Sequence, residues 1–168
     1  MTAEMLSYLD ASQEELKQLI RDLCAIPAPS HHEEKRVAFI CDWLKKHGVE
    51  KVIVDEALNV CVPFGCDGSD DITVYMAHTD VVFPDTTPLP VVEQDGKLFA
   101  PGVGDDTANV VALMLCAKYL LKHIPREPVM LVFYGDHLPT MQMSDTSLLY
   151  ATLGRVASND SLSWSPEE

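Results

Sequence analysis

The sequence predicts an α/β fold, a mixed sheet with helices on both faces. Two early segments carry apolar residues at helical spacing, several apolar runs of strand length lie between turn signals, and the two kinds of segment alternate along the chain. At 168 residues the chain suits one domain with a sizeable core.

Ser12-Gln13-Glu14-Glu15 has the pattern of a capping box, and Leu16, Leu19, Ile20 and Leu23 follow on one helical stripe. Pro27 and Pro29 end that helix. Ser30-His31-His32-Glu33 repeats the capping pattern before a stripe of Val37, Ile40, Cys41 and Leu44, and Gly48 supplies the stop. Strands are expected over residues 51–55, 60–63 and 72–78, the last continuous enough in apolar character to be central. The stretch from Pro84 to Pro90 reads as a loop, and residues 91–93 and 97–99 flank Gln94-Asp95-Gly96 as a small hairpin. An apolar helix is expected over 107–122, then a strand over Val129–Tyr134 after Pro125 and Pro128. No internal repeat is visible.

Composition narrows the function. A formal net charge of −14 argues against a nucleic-acid backbone or an anionic membrane surface as partner, and simple solubility is its plainest meaning. The N-terminus lacks a basic region followed by a long apolar core, so no signal peptide is expected, and no apolar run approaches the roughly 18 residues of a membrane span. The five cysteines include no Cys-x-x-Cys pair. Cys24, Cys41 and Cys116 fall on helical apolar stripes, which favours reduced core thiols in a cytoplasmic protein.

The chemistry concentrates at Ala77-His78-Thr79-Asp80 and Gly104-Asp105-Asp106. His78 and Asp80 end an apolar run, and in a strand positions i and i+2 face the same side. A metal-ligating histidine usually donates its other ring N–H to a carboxylate, and Asp80 is placed for that role. Asp105 could offer a carboxylate oxygen to the same ion or to two ions. A hydrogen-bonded core histidine is the plainer alternative for His78. For Asp106 a helix N-cap stands equally open. His31 and His32 read as a solvated pair at a helix start, and Trp43 with Met114, Met130, Met141 and Met143 as packing residues.

The segments Tyr75-Met76-Ala77-His78-Thr79-Asp80-Val81-Val82 and Gly96-Lys97-Leu98-Phe99-Ala100-Pro101-Gly102-Val103-Gly104-Asp105-Asp106 resemble the co-catalytic zinc exopeptidases and deacylases. Peptidase T, aminoacylase, acetylornithine deacetylase and succinyl-diaminopimelate desuccinylase are members. The resemblance runs over roughly residues 12–123. It implies a zinc-exopeptidase-like catalytic domain, His78 as a zinc ligand, Asp80 as the catalytic carboxylate behind it, and Asp105 as a bridge between two zincs. It also implies a cis peptide between Asp105 and Asp106. Thr107-Ala108 stand where the family often has Lys-Gly.

In the same family the strand equivalent to Val129–Tyr134 leads into Glu-Glu, the general base and a zinc ligand. Here Asp136 and His137 hold those positions, and they are expected as substitute base and substitute ligand. Gly135-Asp136-His137-Leu138-Pro139 also resembles the metal motif of lipoteichoic-acid-synthase-type, sulfatase-fold phosphotransferases. An Asp and a His simply ending a strand at a surface turn is the alternative.

The expected domains are a partial, truncated metallopeptidase catalytic domain over residues 1–140 and a divergent, poorly ordered tail over 141–168. The expected activity is zinc-dependent hydrolysis of a peptide or N-acyl amino acid amide, incomplete in this chain, with one or a partial zinc site. A non-catalytic fragment with a partial metal site and a phosphotransferase remnant around Asp136 and His137 are the alternatives. The expected partner is a small peptide or N-acyl amino acid, and the oligomeric state stays open.

Overall fold

A computed structural model describes residues 2–69, 71–84, 87–88 and 90–135. Helix α1 (Ala3–Cys24) is followed by α2 (Glu34–Lys46), strands β1 (Ile53–Val54), β2 (Val60–Phe64) and β3 (Thr73–His78), a hairpin of β4 (Val92–Gln94) and β5 (Lys97–Phe99), helix α3 (Ala108–Leu120) and strand β6 (Val129–Tyr134). The main sheet has the order β1-β2-β6-β3. β3 runs parallel to β6, whereas β2 is antiparallel to both β6 and β1. The mixed sheet with helices is the architecture the sequence predicts.

One strand changes place. β6 is the central strand between β2 and β3, with Met130, Leu131, Val132 and Phe133 all buried. β3, expected to be central, is the terminal strand among the described residues, and its Thr73, Val74, Tyr75 and Met76 are exposed. The sequence signal was right about apolarity but could not show that only one flank of β3 is paired. Strand pairing is a long-range property that a single apolar run does not encode.

Side-chain alternation along the strands sorts the core into two clusters. On one face Val60, Val62, Ala77, Leu131 and Phe133 pack with buried residues of all three helices, including Leu23, Ile40 and Met114. On the other, Ile53, Cys61, Met130 and Val132 gather with Cys66, Ile72 and Tyr134. The second helical layer expected over that face has no counterpart among the described residues.

Both expected helix starts move. α1 begins nine residues before Ser12, at Ala3, because Thr2 caps it: its Oγ1 accepts the Met5 N–H at 3.2 Å. Good helix formers carry the chain through Ser12, which lies buried inside the helix rather than capping it. The added turns are held by Tyr8, whose hydroxyl donates to Leu115 O at 2.8 Å and whose ring lies 5.0 Å from that of Tyr119. The second capping box is also not formed, since α2 starts at Glu34 and its cap residue Glu33 makes no side-chain capping bond. Ser30 and Glu33 are used elsewhere, as shown below. At the hairpin, Asp95 and Gly96 both adopt positive φ (52° and 71°), the pair of angles that a two-residue turn between twisted strands requires.

Candidate metal centre

The end of β3 and the segment entering α3 meet at one sheet edge. Register pairs His78 with Tyr134, and Thr79 then leaves the ladder with its N–H donating to Tyr134 O at 2.7 Å and its hydroxyl to the same oxygen at 3.1 Å. Val81 N–H continues onto Ala28 O at 2.8 Å. These bonds fix the backbone on both sides of His78 and Asp80.

The second segment, Val103–Thr107, coils into α3 but is not helical throughout: Asp105 (φ −133°, ψ 89°) and Asp106 (φ −129°, ψ 17°) have extended φ values. The peptide between them is cis. Gly102 before it has φ +67°, and a Cβ there would run into the Val81 side chain. Glycine at 102 therefore lets this segment approach the end of β3 closely.

Three sequence-predicted residues come together. His78 Nδ1 lies 2.9 Å from Asp80 Oδ1, and His78 Nε2 lies 3.0 Å from Asp105 Oδ1. Asp80 is almost fully buried and also accepts from Ser30 Oγ at 3.1 Å, whereas the Asp105 side chain is 95% exposed. The buried carboxylate is thus the fixed partner and the exposed one the adaptable partner. The Asp80 hydrogen bond raises the His78 pKa; burial opposes it, the Asp105 hydrogen bond adds to it, and the result is about 9.

Asp106 does not act as a side-chain cap. Its Oδ2 accepts the His78 backbone N–H at 3.1 Å, and its Oδ1 accepts from Asn109 Nδ2. The helix-cap position falls to Thr107, which makes no capping bond. Asp136 and His137 lie outside the described residues.

Sequence reasoning missed three contributors. Ser30 reads as a cap yet orients Asp80. Glu33, assigned to the same box, is buried: its Oε1 accepts the His31 N–H at 2.9 Å, and its carboxylate lies beside Gly135 at the end of β6. Arg36 is the third. It is 2% exposed on α2 and donates from Nε to Ile26 O at 3.0 Å, and from Nη1 to Thr79 O at 3.0 Å and Thr107 Oγ1 at 3.2 Å. A charged residue on an apolar stripe was the only available signal, at the position just before Val37.

The donor set fits a divalent metal in part. An imidazole whose far nitrogen is anchored by a buried carboxylate, facing an exposed carboxylate oxygen, has the chemistry of a zinc ligand pair with its supporting shell. Among the described residues no group of three or more His, Cys, Asp or Glu side chains could hold a metal ion, so His78 and Asp105 form a two-donor set. An apolar cavity of about 430 Å³, lined by residues such as Tyr8, Tyr75, Tyr119 and Val129, has no carboxylate or imidazole in its lining.

Residues 74–136 match the description of Peptidase family M20/M25/M40. A Pyrobaculum aerophilum protein assigned as a LysW-lysine/LysW-ornithine hydrolase is 32% identical over 114 residues, covering 68% of this chain and 31% of that protein. The succinyl-diaminopimelate desuccinylase of Rickettsia canadensis is 26% identical over 120 residues, with 63% of this chain and 31% of the relative covered. The chain thus spans about a third of the length of these relatives. Among solved structures, a tripeptidase from Staphylococcus aureus superposes with a TM-score of 0.64 at 16% identity, over 83% of this chain and 40% of that one. Human carnosine dipeptidase 1 gives a TM-score of 0.64 at 20% identity, over 89% and 36% respectively. These two likenesses establish the shared fold. Among the described residues no helix is long and apolar enough to cross a membrane.

Proposed function

We propose that this chain supplies the His78–Asp105 part of a zinc-dependent amide hydrolase site acting on a small peptide or N-acyl amino acid. The observation that carries the reading is the line Asp80–His78–Asp105, with contacts of 2.9 Å and 3.0 Å on the two ring nitrogens. Asp80 keeps a proton on Nδ1, which leaves the Nε2 lone pair for a metal. Asp105 offers its carboxylate from the solvent side, and Asp106 ties the His78 backbone so that the ring cannot drift from it. Bound zinc would supply Lewis-acid polarisation of the amide carbonyl and a water of lowered pKa. In this proposal Asp136 is the proton acceptor and His137 a further ligand, two and three positions after Tyr134 in the sequence. Residues 1–140 are the catalytic part, and the thiols suit a reducing compartment such as the cytoplasm.

The two-donor set favours one further reading, a protein that binds zinc weakly and turns over little substrate. Zinc titration of the wild type and of His78→Ala, with release of an amino acid from a dipeptide and an N-acyl amino acid, tests both. We expect weak zinc binding that His78→Ala abolishes and slow or no hydrolysis. Fast zinc-dependent hydrolysis lost in His78→Ala would instead establish a complete enzyme. Equal zinc binding by both proteins would remove the metal-site proposal.

A further inference from the structure

We propose that Arg36 is a positioning residue that sets the separation of His78 and Asp105 and thereby the metal affinity of the site; this rests on the metal-site reading above. A buried guanidinium is expensive, because its charge must be taken out of water before its partners are counted. Arg36 has that burial, and its Nη2 has no hydrogen-bond partner among the described residues. A residue kept only to fill α2's apolar stripe, alongside Val37 and Ile40, would need no charge there. What the guanidinium does instead is join three segments.

Nη1 is the junction. It donates both to Thr79 O, the carbonyl between His78 and Asp80, and to Thr107 Oγ1, two residues after Asp105. Nε adds Ile26 O, at 3.0 Å, from the turn that follows α1. One guanidinium nitrogen therefore spans the end of β3 and the segment that presents Asp105, and the Nε bond to Ile26 O fixes the plane that aims it, a second anchor that a lysine ammonium lacks. Thr107 is fully buried, and its N–H is held by Gly102 O at 3.1 Å, so its hydroxyl is a fixed anchor. Among the described residues the Arg36 hydrogen bonds go to neither His78 nor Asp105; they reach the backbone between one pair of site residues and the side chain just after the other.

The test uses Thr107, because Arg36 variants alone could fail by unfolding. Thr107→Val keeps the shape and removes the acceptor, and Thr107→Ser keeps the acceptor. Arg36→Lys keeps the charge without the second anchor. Each is measured for zinc affinity against a chromophoric chelator, for Tm, and for the ¹⁵N signals of the His78 ring in the metal-free protein. The expected result is that Thr107→Val and Arg36→Lys weaken zinc by about tenfold, the lower end for residues that orient a ligand from behind. Their His78 ring signals move while Thr107→Ser stays near wild type. Wild-type zinc affinity and unmoved His78 signals in folded Thr107→Val and Arg36→Lys would overturn the proposal. If the wild type binds no more zinc than His78→Ala, the metal-site reading fails on its own. The His78 signals then decide the role of Arg36: moved in Thr107→Val they support it, unmoved they refute it.

Discussion

Replacing Asp80 by Asn keeps the shape of the buried partner of His78 but removes its charge. In the wild type that hydrogen bond is the main cause of a His78 pKa of about 9. Zinc needs the neutral ring, so protons compete with it: at pH 7 only about one ring in a hundred is neutral, and apparent affinity should rise about tenfold per pH unit up to pH 9. In Asp80→Asn the imidazolium loses its counter-charge and burial pulls the pKa back down, so proton competition largely ends by about pH 7. Against this, a less basic, less firmly held imidazole binds zinc about 10–100-fold more weakly. The two effects oppose each other. Near pH 7 the variant and the wild type should lie within about tenfold of one another, whereas at pH 9.5 the wild type should be tighter by about 10–100-fold. Chelator competition across pH 6.5–9.5, with circular dichroism to show the variant is folded, measures both curves. Parallel curves with the same pH slope would refute the link between Asp80, the ring's proton and the metal.

The same raised pKa affects stability without metal. Because the folded value lies above the ordinary 6.5, the stabilisation is fully present below about pH 6.5 and is lost as pH rises through 9. Discounted for the exposed Asp105 end, it amounts to about 2 kcal/mol. Urea titrations at pH 6 and 9.5 should show that loss and should lose the difference in His78→Gln. In the core, Phe133→Ala should cost about 3–5 kcal/mol by denaturant unfolding, since the side chain is fully buried on the central strand. Val82→Ala, at a 78% exposed position, should stay within about 0.5 kcal/mol. In native protein a thiol reagent at pH 8.5 should label Cys116 first; Cys41 and Cys61, which burial pushes up to about 11 and about 12, should react only on unfolding. Early labelling of Cys61 would contradict its burial within β2.

Local signals in the sequence proved the readable ones. The stripes at Leu19–Leu23 and Val37–Leu44, the Asp95-Gly96 turn and the β6 run depend on neighbours in the chain, and they appear where periodicity puts them. Spacing also placed His78 and Asp80 on one side of a strand end. Signals that depend on distant segments were harder to read. The place of β3 at the sheet's end follows from what lies beside it. The capping patterns at Ser12 and Ser30 were overridden, one by a longer helix anchored through Tyr8, the other because Asp80 lies within reach of Ser30. Cys116 sits on the expected stripe of α3 but is exposed, because that side of the helix lines the open apolar cavity with Tyr8 and Tyr75. Arg36 showed only as a charge on an apolar stripe, and its role was not legible because its three acceptors come from segments 10, 43 and 71 positions away.

Gly102 and Val81 also constrain how this sequence can drift. A first step from Gly102 to Ala meets the Val81 side chain and a backbone angle of +67° at once. A first step from Val81 to Ala makes only a small cavity and removes the worst collision, after which position 102 has the backbone angle and the close Asp105 carbonyl and residue-81 Cβ to satisfy. The order of the two changes therefore decides whether the intermediate survives, and the combined effect should be smaller than the sum of the separate ones. Lineages that lose this glycine should already carry a small residue opposite it.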